Sequence, residues 1–195
     1  IIIQPEHGLP YKADFNNEIK RIANFHWSPD DNYLIATINS QLHLFNEKNK
    51  QWQALLPDQK NIHYGHFSNT SNIIFSSDIT GDWQIWSLDI DSNKSTQLTK
   101  NGGYSAQGNI DNGYLYLTKF NHAGLYQINL NTGEEQALIS DFKITSWKKW
   151  QVRTGTIYYE TQKSINALNL KNKNIEVVLP HNGRAPTSFS VSFNK

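Results

Sequence analysis

The stretch from Gly65 to Gly108 carries a pattern that returns along the chain every 41 or so residues. It runs His66-Phe67-Ser68, then Asn72-Ile73-Ile74-Phe75-Ser76-Ser77-Asp78, Gly81, Gln84-Ile85-Trp86 and Gln97-Leu98-Thr99. Its second apolar run aligns with Tyr33-Leu34-Ile35-Ala36, Tyr114-Leu115-Tyr116-Leu117 and Thr156-Ile157-Tyr158-Tyr159, Ile73 being set against Tyr33. A third run follows in each copy: Gln41–Phe45, Gln84–Leu88, Gly124–Ile128 and Ser164–Leu168. Fourth runs end at Gln53–Leu56, Gln97–Thr99, Gln136–Leu138 and Val177–Leu179. Runs this short, rich in branched and aromatic residues and alternating in polarity, are strands.

The breaks between runs are equally regular. Glu47-Lys48-Asn49, Asp91-Ser92-Asn93, Asn131-Thr132-Gly133 and Lys171–Asn174 separate third from fourth strands, while Asn112-Gly113 and Arg153-Thr154-Gly155 separate first from second. Asn, Asp and Gly tolerate the left-handed backbone of tight hairpins. A repeated four-stranded unit of this length predicts an all-β chain of antiparallel β-propeller blades. The blades span approximately 22–60, 61–103, 104–142 and 146–180 of a single propeller domain or fragment, with 1–21 and 186–195 in flanking partial blades. Ile1-Ile2-Ile3-Gln4 reads as the outer strand of a preceding blade and Ser188–Phe193 as the first strand of a following one. Those overhangs fit an incomplete six- to eight-bladed ring better than a closed ring of four. Open sides would then expose apolar blade faces to a partner chain, a second copy or the missing segment.

Composition narrows the function classes. A net charge of +1 leaves no electrostatic footprint for direct nucleic-acid binding. No run nears the roughly 18 apolar residues of a membrane span, so membrane attachment would come through a segment outside this chain. The chain lacks Cys and Met altogether, which removes disulfides and thiol chemistry and points to a piece of something longer.

The second copy resembles the TolB-like propeller repeat, and Trp27-Ser28-Pro29-Asp30-Asp31 is close to that family's Trp-Ser-Pro-Asp-Gly turn, with Asp31 in place of Gly. Asn101-Gly102-Gly103-Tyr104, Leu115–Lys119, Gly124-Leu125-Tyr126, Gly133-Glu134-Glu135 and Trp147-Lys148-Lys149-Trp150 then follow in order. That succession is similar to the C-terminal propeller of CadC/ToxR-like bacterial winged-helix regulators. The resemblance implies a non-enzymatic sensory or protein-interaction domain, periplasmic and membrane-anchored from elsewhere; a cytoplasmic home stays open. Two alternatives stand beside it: a TolB-like envelope scaffold and the non-catalytic propeller of a serine peptidase.

Candidate ligand or partner residues gather on the loops expected at one propeller mouth: Asp78, Asp82, Trp83, Tyr104, Lys119, His122 and Arg184. Each has a plainer reading. Asp78 is of the type that caps turn N–H groups. His63 and His66, three apart on a strand, would point to opposite faces, which spoils a shared metal site. Trp86 and Trp150 read as core, and Trp83 as more open. No Gly-x-Ser-x-Gly elbow and no phosphate-binding glycine loop is present, and no catalytic residue, metal or cofactor is expected.

Overall fold

The computed structural model describes residues 1–3, 9–59, 61–140 and 149–181. The chain divides into two compact units, Ile1–Tyr104 and Ser105–Lys195. The first unit opens with a short antiparallel pair, β1 (Ile2–Ile3) and β2 (Tyr11–Lys12). Two four-stranded sheets follow. One comprises β3 (Ile22–Trp27), β4 (Tyr33–Ile38), β5 (Gln41–Asn46) and β6 (Gln51–Leu55). The other comprises β7 (Ile62–Phe67), β8 (Asn72–Ser77), β9 (Gln84–Asp89) and β10 (Lys94–Gln97).

The second unit has the same make-up. Its sheets are β11 (Ser105–Gln107), β12 (Tyr114–Lys119), β13 (His122–Asn129) and β14 (Glu135–Ile139), then β15 (Trp150–Arg153), β16 (Thr156–Glu160), β17 (Ser164–Asn169) and β18 (Ile175–Pro180). Every sheet is an antiparallel meander in sequence order. Among the described residues these are four blades of an all-β propeller fold, two in each unit. The expected turn residues are used as such: Gly113 and Gly155 take φ of 71° and 73°, and Asn93 and Gly133 take 53° and 75°. Each is in the left-handed region, where Gly and Asn fit with least strain.

Strand pairing shifts one alignment. Tyr33 lies opposite Asn46, Tyr114 opposite Asn129 and Thr156 opposite Asn169; in the second blade the pair is Asn72 with Asp89. Asn72, not Ile73, is therefore the partner position of Tyr33. The apolar run Ile73–Phe75 masked the shift, because residues inside it look interchangeable while a one-residue slip exchanges the two faces.

The corrected register shows how neighbouring blades bury one another within a unit. Leu42, Leu44 and Leu55, on the third and fourth strands of blade 1, join Ile73, Phe75 and Leu88 of blade 2 in one core. In the second unit Leu125, Leu138 and Ile139 of blade 3 likewise meet Ile157 and Leu168 of blade 4. The N-terminal pair plays the same part for blade 1: Ile3 and Ala13 pack on Leu34 and Phe45, the counterparts of Ile73 and Leu88. Ile2–Ile3 thus pairs with Tyr11–Lys12 and covers a blade face, while Gln4 and Ser188–Phe193 lie outside the described residues.

Candidate functional site

Four of the seven candidate residues fall at one end of blade 2, on the connection between β8 and β9 and on the segment leading out of β10. Trp83 precedes β9 and Tyr104 ends the outgoing segment. Their rings meet edge to face, 5.4 Å between centroids at 90°. His63 stands 4.8 Å from Trp83, and Tyr64 stands 5.1 Å from Tyr104, with the two tyrosine hydroxyls 3.4 Å apart. All four side chains are half-buried. Edge-to-face packing of this kind satisfies the ring quadrupoles and holds the aromatic group as one body.

The backbone beneath explains why these rings stay put. Gln84, 5% exposed, and Thr99, 2% exposed, share a hydrogen bond of 2.8 Å from the threonine hydroxyl to the amide oxygen. That same oxygen accepts from the Gly102 N–H at 3.2 Å, and the Thr99 hydroxyl oxygen accepts from the Ile85 N–H at 2.9 Å. The Gly103 N–H donates to the Trp83 carbonyl at 2.8 Å, tying the two loops directly. A Cβ on Gly103 would sit 2.4 Å from Ile85 Cγ1, so glycine at this position is a steric requirement of the closure. Buried polar networks with every member paired are rigid, and rigidity is what a recognition surface needs.

Alternation along the sequence sets His63 aside as a metal ligand, and nothing in the sequence singles out Tyr64. The register of β7 against β8 shifts between His63 and His66, and Tyr64 takes a φ of 51°. This bulge breaks the alternation on which the reading of opposite faces rested. It turns His63 toward Trp83, whereas His66 packs 5.3 Å from His26 of blade 1. A bulky residue held at positive φ is backbone strain of the sort that gathers at binding sites.

The electrostatics are local. Burial lowers the His63 pKa, the Arg21 charge lowers it further and Asp78 opposes both, so the imidazole is neutral at neutral pH. Burial, and then the hydrogen bond with Tyr104, push the Tyr64 hydroxyl above its usual range. Asp78 accepts from the Asn61 side-chain amide at 3.3 Å, and its own carbonyl accepts from the Gly81 N–H at 2.8 Å. The turn is closed by the Asp78 backbone, with its carboxylate joined to a side chain. Asp82 is exposed beside Trp83.

Lys119 and His122 belong to the other unit. Lys119 donates to the Glu135 carboxylate at 2.6 Å and lies 4.8 Å over the Tyr126 ring, with 12% of its side chain exposed. It is engaged within its own blade. His122 is exposed at the start of β13, opposite Lys119, so these two are strand residues flanking a two-residue turn. Arg184 and Trp147 lie outside the described residues. Trp150 is 2% exposed and donates its indole N–H to the Ser105 hydroxyl at 3.2 Å; Trp86 is partly buried against the core of blades 1 and 2. Both are packing residues, as their strand positions imply.

Among the described residues, no group of three or more His, Asp or Glu side chains is placed to hold a metal ion. No helix among them is long and apolar enough to cross a membrane. The loop cluster offers aromatic surface, a neutral imidazole, phenol hydroxyls and carboxylates, which is equipment for recognition.

No protein-family model matches the chain, and no curated protein matches it. Solved structures do resemble it. TolB from Acinetobacter baumannii superposes with a TM-score of 0.71 at 15% identity, over 90% of this chain and 46% of that one. A puromycin-hydrolysing peptidase from Mycobacterium tuberculosis gives 0.64 at 11% identity, over 87% of this chain and 31% of the peptidase. The extracellular domain of a hybrid two-component system from B. thetaiotaomicron gives 0.63 at 12% identity, over 89% and 24%. The fold is TolB-like. The chain spans about half the length of the TolB structure and a third or less of the other two.

Proposed function

We propose that this chain is a non-enzymatic sensory and protein-interaction propeller, the periplasmic portion of a membrane-anchored bacterial transcriptional regulator. In this reading it engages its partner through the blade 2 loop cluster. The observation that carries it is the Trp83–Tyr104 pair, held half-exposed on two loops by the buried Gln84–Thr99 network. Aromatic anchors on a rigid support are where protein interfaces concentrate their binding energy. The order of the Gly-Gly-Tyr, Leu-Tyr-Leu-Thr-Lys and Trp-x-x-Trp runs supports the regulator assignment. Likeness to TolB and to a two-component extracellular domain supports a place in the cell envelope. With +1 net charge, DNA contact falls to another part of the polypeptide.

The test is a reporter assay on the whole reading frame. Phosphatase fused beyond the propeller is expected to be active, as it is only outside the cytoplasm. A double W83A/Y104A variant should cut signal-dependent transcription at least tenfold while leaving the melting temperature of the domain within a few degrees. A second reading, the propeller of a serine peptidase, draws on the peptidase likeness. A hydrolase domain on the same polypeptide, with peptidase activity, would replace the regulator by it.

A further inference from the structure

A cavity of about 480 Å³ lies in the first unit, between the N-terminal segment and the outer strands of blade 1. Its origin is visible in the repeat. Across blade 2 one row of side chains runs Phe75, Trp86, Gln97, each paired with the next across neighbouring strands. The same row in blade 1 runs Ala36, His43, Ala54. Phe75 and Trp86 are large and fill the space against the preceding blade, where they join its core. Their blade 1 counterparts are smaller, and His43 and Ala54 line the cavity.

The walls are chemically specific. His43 is 5% exposed, and burial holds its imidazole neutral. Its ring meets Phe15 edge-on, 4.8 Å between centroids at 90°. Phe15 also meets Trp52 edge-on, 5.7 Å at 89°, and the buried Trp52 indole N–H is without a partner among the described residues. Buried polar atoms are paired in the great majority of cases, so an unpaired buried indole N–H beside a cavity is a donor left for a bound group. Asn16, Asn17 and Gln51 add amides that both donate and accept. The charges at the rim are already matched: Lys12 pairs with Asp14 at 2.7 Å, and Lys50 pairs with Glu47 while lying over Tyr11.

We infer that this cavity binds a small, uncharged, hydroxyl-rich molecule of mono- to disaccharide size. Ring walls suit the apolar face of a sugar, and the imidazole, indole and amide groups suit its hydroxyls. Matched charges give no purchase to a net anion or cation. The volume falls within the roughly 300–1,000 Å³ of small-molecule sites. This site is separate from the blade 2 loops and stands whether or not those loops bind a partner.

The experiment titrates the folded protein with glucose, maltose and sucrose, and with glucose 6-phosphate and glucosamine as charged counterparts. It follows the Trp52 indole N–H and the His43 ring by NMR. A saturable shift of both signals with at least one neutral sugar is expected, and at least tenfold weaker binding of the charged counterparts. Two variants rebuild the blade 2 row in blade 1: His43→Trp, and the milder Ala54→Gln on the exposed strand β6. Each should weaken binding at least tenfold, read at Trp52. Should His43→Trp not fold, Ala54→Gln decides alone. The inference is overturned by a lack of saturable shift with all three neutral sugars, by undiminished affinity in the folded filling variants, or by equal or tighter binding of a charged counterpart.

Discussion

Asn46, Asp89, Asn129 and Asn169 occupy one position of the repeat, the last residue of each third strand. Each side-chain oxygen accepts backbone N–H groups of the hairpin that follows. Asn46 takes Lys48 at 2.9 Å, Asp89 takes Ser92 at 2.7 Å, Asn129 takes Asn131 at 2.9 Å and Asn169 takes Lys171 at 2.9 Å. A short polar side chain closing its own turn in this way competes well with solvent because no long chain must be ordered. Asp89 alone is ionisable. The Ser92 N–H, and then the Ser92 hydroxyl, hold its carboxyl below the usual range. A lowered folded pKa means that the unfolded chain takes up the proton first. The stabilisation is therefore complete above the ordinary carboxylate pKa and is lost as pH falls through the folded value. Asp89→Asn should flatten that part of the acid limb in urea melts followed against pH. Asn129→Ala should cost about 1 kcal/mol at all pH values, the worth of a typical hydrogen bond.

At the scale of elements, equivalent strands carry unequal burdens. Leu55 on β6 faces Leu42, and Leu179 on β18 faces Ile165, so the two leucines hold the same place in their blades. Leu55 is 3% exposed inside the core of blades 1 and 2, whereas Leu179 is 55% exposed. Leu55→Ala should cost roughly 2–5 kcal/mol in an equilibrium melt, and Leu179→Ala less than about 1 kcal/mol. A common cost for both would show that repeat position, not burial, sets the energy. The same contrast explains what sequence could reveal. Alternation and Asn/Gly turns announced every four-stranded sheet, because strands and hairpins are local properties. Trp83 and Tyr104 were each legible as loop residues for the same reason, flanked by the Asp and Gly residues of their turns, while the contact between them was not. His63 and Tyr64 were hidden because a bulge overrides alternation. Asn72 was displaced because an apolar run has no internal landmark. The cavity at His43 has no signature in the sequence because it depends on three residues, Ala36, His43 and Ala54, that come together only across strands.

On the scale of the molecule, strand order is the governing fact. Each blade is a meander whose strands pair only with their neighbours in sequence, and each hairpin between third and fourth strands is closed by its own Asn or Asp. Contacts within a blade are therefore short-range along the chain, while the cores between neighbouring blades of a unit are built of side chains. Under a stretching force applied at the termini, a blade can peel away whole once its apolar face parts from its neighbour. Single-molecule pulling should then show a sawtooth whose steps each release about 40 residues, or roughly 130–145 Å of extended chain. Irregular steps much shorter than this would mean that strands detach singly. A chain assembled from such pieces has a graduated length under load, marked off in blades.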